Sequence, residues 1–243
     1  MIFNLFKSKP TLKELIPEGF VDIHSHILPS IDDGAKDVNE SLELLSQIEK
    51  LGYSKIIATP HIYPGLYENT RNSILKSYNL IKKNPTDKLK ISYAAEYMID
   101  NSLIKKAENK ELLCLKENYV LIEMSFISAH INLKDIIFKL MINGYIPILA
   151  HPERYRFYFK NFENFRELKH IGCKFQINLL STTGYYGKDI TNITDKLLRE
   201  NMCDFVGSDI HNENHVKQFS QKVIVSEIKK LNNVIRKNVI FKW

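Results

Sequence analysis

The sequence predicts an α/β fold built around a parallel sheet. Three observations carry that reading. Short apolar runs alternate with helical patterns along the chain, giving seven strands, nearly each followed by a helix. No Gly/Pro/Ser-rich linker, short repeat or low-complexity tract interrupts them. The length of 243 residues, 44% of them hydrophobic, suits one large α/β domain, and the chain is read as one, residues 1–243.

The first strand is FVDIH, residues 20–24. The segment DVNESLELLSQIEKLG (37–52) is a helix with apolar residues three and four apart, a capping box of Asp37 and Glu40, and Gly52 as its stop. YSKIIAT (53–59) is a strand and TRNSILKSYNLIKK (70–83) a helix. LKISYAAE (89–96) and DNSLIKKAENK (100–110) repeat the pair. YVLIEM (119–124) is the fourth strand, followed by the helix NLKDIIFKLMING (132–144). Then come YIPILAH (145–151), the helix NFENFRELKHIG (161–172) and the strand CKFQINL (173–179). The helix NITDKLLREN (192–201), the strand DFVGSD (204–209) and a long basic helix and tail from His215 to 243 complete the chain. Such a pattern fits a sheet closed into a barrel or left open.

Composition excludes several classes. No apolar run approaches the roughly 20 residues of a membrane span. The opening MIFNLFKSKP is too short and lacks a cleavage site for a secretory signal. Residues 1–19 are read as an N-terminal extension, frayed or packed, with a weak amphipathic membrane foot as the alternative. Cys114, Cys173 and Cys203 are odd in number and far apart, as expected of reduced thiols in a cytoplasm. From Lys217 onward seven Lys/Arg face one acid, Glu227. That run reads as a solvated helix face, and it is compatible with peripheral contact at an acidic membrane surface or with an acidic partner. It lacks interleaved aromatics that would stack on bases, so nucleic acid is not expected as a partner.

The chemistry concentrates at strand ends. In VDIHSH the side chains of His24 and His26 leave the same face, because strand direction repeats every two residues. An isolated pair of this kind is more often structural. However, His61 follows strand two, Glu96 ends strand three, Glu123 lies near the end of strand four, His151 ends strand five, and Asp209 and His211 end strand seven. In parallel α/β folds those ends converge on one rim, where such proteins place their chemistry. Imidazoles and carboxylates gathered there point to a metal cluster. His130, His170 and His215 lie outside strand ends and are read as structural or exposed.

The motifs DIHSHILPSIDDGAK, ATPHIYPG, AAEY, LIEMSF, LAHPERY and GSDIHN, in that order from Phe20 to Asn212, resemble the PHP (polymerase and histidinol phosphatase) superfamily. More narrowly they resemble the metal-dependent protein tyrosine phosphatases of bacterial capsular and exopolysaccharide operons, the CpsB/YwqE type. The resemblance implies a distorted seven-stranded (β/α) barrel. It also implies three divalent ions, Mn²⁺ first, with Fe or Zn²⁺ as alternatives. One ion would take His24, His26, Glu96 and Asp209. A second would share Glu96 and add Glu123 and His151, and a third would use Asp33, His61 and His211.

The implied reaction is in-line attack of metal-activated hydroxide on a phosphotyrosine monoester, with Arg154, Asp209 and His211 expected to carry the catalysis. Arg154 is placed to fork onto phosphate oxygens, against the plainer reading of a salt bridge to Glu153. The resemblance also implies a further arginine shortly after the SDxHN motif; here HNENHVKQF offers only Lys217 nearby, a candidate for substrate binding. The loop STTGYYG, Ser181 to Gly187, reads as a rim loop whose tyrosines could flank an aromatic substrate. A cysteine-nucleophile route is excluded, because the residues six after Cys114, Cys173 and Cys203 are Val120, Leu179 and Asp209 rather than arginine. The implied partner is the phosphotyrosine-bearing tail of a bacterial tyrosine kinase. Two readings compete: hydrolysis of a small phosphomonoester such as histidinol phosphate, and a non-catalytic metal-loaded scaffold for the kinase.

Overall fold

The computed structural model describes residues 8–82 and 88–242, so the opening MIFNLF lies outside the described residues. A short helix α1 (Leu12–Leu15) precedes β1 (Phe20–Asp22), α2 (Val38–Lys50), β2 (Tyr53–Ala58), β3 (His61–Ile62) and α3 (Arg71–Ile81). Next come β4 (Lys90–Tyr93), β5 (Glu96–Met98), α4 (Ser102–Glu108), β6 (Tyr119–Glu123), α5 (Leu133–Ile142) and β7 (Ile146–Ala150). The chain then forms α6 (Glu163–His170), β8 (Lys174–Asn178), α7 (Lys188–Arg199), β9 (Phe205–Gly207), α8 (Glu213–Lys217) and α9 (Ile228–Lys237).

All strand pairs are parallel, in a three-stranded sheet ordered β1-β2-β4 and a six-stranded sheet ordered β3-β5-β6-β7-β8-β9. The third predicted strand is broken in two after Tyr93, and a further short strand, β3, follows the second beyond Pro60. Pro60 has no N–H to give a ladder, and Thr59 turns its N–H to Ser25 O at 2.8 Å instead. With nine strands in two sheets among the described residues, the expected count of seven is not exact. The ring closes between β9 and β1 beyond their ends, where Asp209 N–H donates to His24 O at 2.8 Å and His26 N–H to Ile210 O at 2.9 Å. The result is a distorted barrel of parallel strands.

Side chains divide by strand parity. Val21, Ile23, Ile57, Leu121, Ile148 and Phe205 fill the ring. Val120, Ile122, Leu149 and Val206 face outward and pack with helix residues such as Leu45, Ile48, Ile137 and Leu168. Below the ring, Phe241 from the 3₁₀ turn Asn238–Phe241 packs on Tyr119 and Phe205. Asn238 binds β1 and β9 together there, donating through Nδ2 to Val21 O at 2.9 Å and Val206 O at 2.8 Å.

Several expectations are corrected. Asp37 caps α2 by accepting from Glu40 N–H, but Glu40 accepts from Lys36 N–H rather than from the cap, so the box is only half formed. Helix α7 starts at Lys188 rather than Asn192. The long helix from His215 does not exist as one piece: α8 and α9 are separated by an extended segment containing Val223, Ile224 and Val225. Its β-branched residues alternate buried, exposed and buried, a strand-like pattern that resists helix. The end of the N-terminal extension packs onto this segment, with Leu12 N–H donating to Gln221 O and Val223 N–H to Pro10 O, both at 2.9 Å.

Candidate metal centre

The C-terminal ends of the strands bring nine histidines and carboxylates to one rim. His24 and His26 follow β1, His61 begins β3, Glu96 begins β5, Glu123 ends β6, His151 follows β7, and Asp209 and His211 follow β9. Asp33 comes from the loop after β1. Most of these side chains are buried, while Asp33 is half exposed at the mouth.

The donor atoms converge. His24 Nε2 lies 3.1 Å from Glu96 Oε2 and 3.3 Å from Asp209 Oδ1. His26 Nε2 lies 3.4 Å from the same Glu96 oxygen, 3.3 Å from Asp209 Oδ1 and 3.2 Å from His24 Nε2. Ligand atoms about 2.1 Å from a shared divalent ion sit roughly 3.0–3.5 Å from one another, which is the spacing found. His61 Nδ1 stands 2.8 Å from Glu123 Oε1 and 3.2 Å from Glu96 Oε2. Asp33 Oδ1 lies 3.5 Å from both His61 Nε2 and His211 Nε2. His151 Nε2 reaches the other Glu96 oxygen at 3.2 Å. The donors fall into overlapping groups, one of them His24, His26 and Glu96. Glu123 stands with His61 and Glu96, and His151 with His24 and Asp209, while His26 joins Asp33, His61 and His211.

A divalent cation fits this set. Both oxygens of Glu96, Oε1 of Glu123 and Nδ1 of His61 are buried and face one another without a well-aligned hydrogen bond. Leaving such atoms bare costs about 1–3 kcal/mol each, and a shared cation satisfies them together. The mixture of imidazole nitrogen and carboxylate oxygen accommodates Mn²⁺, Fe or Zn²⁺.

A second layer of side chains aims the ligands. His24 Nδ1–H donates to Gln176 Oε1 at 2.7 Å, His26 Nδ1–H to Asp32 Oδ2 at 2.8 Å and His211 Nδ1–H to Asp209 O at 2.8 Å, so each presents Nε2 to the centre. Asp32 also accepts from Gly34 N–H and His61 N–H, tying two ligand loops together. Two glycines make room for the histidines. A Cβ at Gly34 would sit 1.9 Å from His26 O, and one at Gly207 would sit 2.6 Å from His24 Cβ. His151 and Asp209 adopt left-handed backbone, with φ of 34° and 53°. That costs a side-chain-bearing residue about 1–2 kcal/mol and concentrates at functional positions.

Burial opposes charge on Glu96 and Asp209, but the surrounding imidazoles prevail and hold both carboxyls well below the usual carboxylate range. Burial likewise opposes a charged His24, yet Glu96 and Asp209 raise it to about 9. His151 is pushed down to about 4, chiefly by burial, and is therefore neutral near pH 7. Burial and the charge of Glu96 raise Glu123.

Arg154, in the 3₁₀ turn after β7, lines a cavity of about 310 Å³ above these residues, with Phe126, Tyr186, His211 and His215 among the other walls. Its guanidinium lies between Phe126 and Tyr186, 4.7 and 4.3 Å from the ring centres. A larger cavity of about 460 Å³ lies behind α3 but holds none of the metal-capable set. Glu153 is not the partner of Arg154; it is buried and accepts from Asn178 N–H and Ser181 Oγ–H.

The residue model of the family described as "Capsular polysaccharide synthesis, CpsB/CapC" matches residues 20–242. The chain belongs to the CpsB/CapC family. Among its relatives, the tyrosine-protein phosphatase YwqE of Bacillus subtilis is 33% identical over 196 residues, 79% of this chain and 77% of the relative. The tyrosine-protein phosphatase CpsB of Streptococcus pneumoniae is 31% identical over 201 residues, 79% of this chain and 83% of the relative. A crystal structure from a set of YwqE and CpsB, described as metal-dependent tyrosine phosphatases, superposes with a TM-score of 0.74 at 29% identity. The match covers 89% of this chain and 94% of that one.

Within this family frame, two sequence expectations change. Lys217 does not reach the cavity: it pairs with Glu213 at 2.8 Å on the outer side of α8. One helical residue turns about 100°, so His215, two residues earlier, faces the cavity instead. Of the rim tyrosines, Tyr186 is a wall of the cavity, whereas Tyr185 lies outside it, edge-on to His215. Sequence reasoning missed Asp32, Gln176, Asn178 and Phe126. A glutamine inside the apolar run CKFQINL was a usable signal for Gln176; Phe126 offered none.

Proposed function

We propose that this chain hydrolyses phosphotyrosine monoesters in protein, using divalent ions held by His24, His26, Asp33, His61, Glu96, Glu123, His151, Asp209 and His211. The observation that carries the reading is the convergence of those donors beneath a cavity whose wall is the guanidinium of Arg154. Membership of a family whose relatives are named tyrosine-protein phosphatases supports it. The substrate we propose is the phosphotyrosine-bearing tail of a tyrosine kinase of polysaccharide assembly.

Divalent ions bound there would neutralise phosphoryl oxygens and acidify water, the two demands of phosphomonoester hydrolysis. The protein's own groups do the rest. Asp209 turns Oδ1 to His24 and His26 and keeps Oδ2 on Arg154 and on Asn178 Nδ2, each at 2.9 Å. Arg154 supplies the fixed positive fork for a phosphoryl group entering the cavity, and the rings on either side hold its plane. Phe126 and Tyr186 also give a phenyl group apolar walls. The thiols take no part. Burial pushes Cys173 up to about 12 and Cys114 up to about 11, and it raises Cys203 well above the usual thiol range, so none offers a thiolate near pH 7.

The test is phosphate release from a phosphotyrosine peptide by chelator-stripped protein, before and after Mn²⁺ is restored, beside a phosphoserine peptide and histidinol phosphate. Release restored by Mn²⁺, greatest on phosphotyrosine and lost in His151→Ala, is expected. Faster release from histidinol phosphate overturns the substrate assignment, and release that survives chelation overturns the metal assignment.

A further inference from the structure

At the end of the barrel opposite the metal rim, the 3₁₀ turn Asn238–Phe241 carries two aliphatic side chains outward. Val239 is 60% exposed and Ile240 40% exposed, although Phe241 and Asn238 beside them are fully buried plugs of the ring. Cations surround this pair. Lys116 Nζ donates to Ile240 O at 2.7 Å and Lys55 Nζ to Phe241 O at 2.9 Å, and Arg236 and Lys237 are exposed in the last turn of α9 just before.

None of these four cations has a carboxylate partner among the described residues. Some cations elsewhere on the barrel do have such partners. There Lys134 pairs with Glu167, Lys139 with Asp135, Arg166 with Glu163 and Glu200, and Lys217 with Glu213. At the base, positive charge exceeds negative around exposed hydrocarbon, with Glu117 the exposed acid next to Lys116.

We propose that this base is a docking surface for an anionic phospholipid membrane. Val239 and Ile240 enter the boundary between headgroups and acyl chains, while Lys55, Lys116, Arg236 and Lys237 lie at headgroup level. An apolar tip within a basic collar is the chemistry of peripheral lipid binding. A nucleic acid would meet the same cations but has no use for exposed aliphatics at the centre. The two lysines that hold the turn by its carbonyls fix the tip in position, so docking needs no rearrangement. It also turns the metal rim away from the lipid, toward soluble segments of other proteins.

The experiment is co-sedimentation of the metal-loaded full chain with vesicles of phosphatidylcholine alone and of phosphatidylcholine mixed with phosphatidylglycerol. Binding to the mixed vesicles only is expected. Joint reversal of Arg236→Glu and Lys237→Glu should lower partitioning roughly tenfold or more, and Val239→Ser should lower it as well. All three changes lie on exposed positions far from the metal rim, so phosphate release serves as the check that the variants are folded. Failure of the wild type to sediment with anionic vesicles overturns the proposal. So does binding that ignores Val239→Ser and is matched by binding to a DNA duplex, which would make the base a nucleic-acid contact.

Discussion

Arg154 Nη1 lies 2.9 Å from Asp209 Oδ2, joining the residue that faces the cavity to a carboxylate of the candidate metal centre below it. The pair is mostly buried, with side-chain exposures of 21% and 3%. Burial makes its removal more costly than that of a surface salt bridge. Asp209 is also held by Asn178, so its orientation does not depend on Arg154 alone.

That double support separates two roles. Arg154→Ala should raise KM for a phosphotyrosine peptide about ten- to a hundredfold, the loss of a charge-assisted contact of about 1.5–3 kcal/mol. Metal content should stay unchanged because Asn178 still holds Asp209. Arg154→Lys should recover only part of the loss, since an ammonium lacks the fork. Unaltered kinetics in the alanine variant would remove Arg154 from substrate binding.

Asp32 is not a wall of the Arg154 cavity, yet it holds His26 Nδ1, His61 N and Gly34 N. Asp32→Ala is expected to weaken metal binding about 10–100-fold, the usual effect of losing a group that orients a ligating histidine. Titration of the chelated variant with Mn²⁺ reads it directly. Wild-type affinity would mean that His26 is positioned by packing alone.

Gly34→Ala places a methyl 1.9 Å from a backbone oxygen, which no rotamer change relieves. The loop from Ile27 to Lys36 must shift, taking Asp32 and Asp33 with it. We expect destabilisation of about 1–3 kcal/mol or more, read as a lower Tm, together with weaker metal binding. Retained Tm and retained metal affinity would show that the loop is loosely packed on His26.

Metal affinity should rise with pH. His24, held at about 9 in the metal-free state, must give up its proton to ligate, so binding releases protons and weakens as pH falls below 9. Stability of the chelated protein should move the other way. A histidine raised from 6.5 to about 9 contributes stability that is complete below pH 6.5 and lost as pH rises through 9. His26 is raised as well, against its burial, by Asp32 first, and acts in the same direction. Thermal scans between pH 7 and pH 9.5 (a range chosen about the His24 value, roughly half a unit beyond it) should show Tm falling without metal and holding with Mn²⁺. A flat metal-free profile would contradict the ion pairs within the cluster.

What the sequence by itself determined was the order of strands and helices and the kinds of residue at the strand ends. Both depend on local periodicity. An apolar run dictates a strand, and a histidine at its end lies on the rim of any parallel ring. Thus His24, His61, Glu96, His151 and Asp209 stand out from their positions along the chain alone.

Only the tertiary structure decided which of them meet. Glu123 stands 2.8 Å from His61 because β3 and β5, which carry His61 and Glu96, lie in the sheet that contains β6. His215 rather than Lys217 faces the cavity because α8 is a separate short helix whose turn sets their directions. Gln176 supports His24 across 152 residues of chain, a contact made only by closure of the ring between β8, β9 and β1. Spacing along a chain encodes the direction of neighbouring side chains. Contacts between distant strands follow from register and ring closure, which are properties of the whole packed barrel.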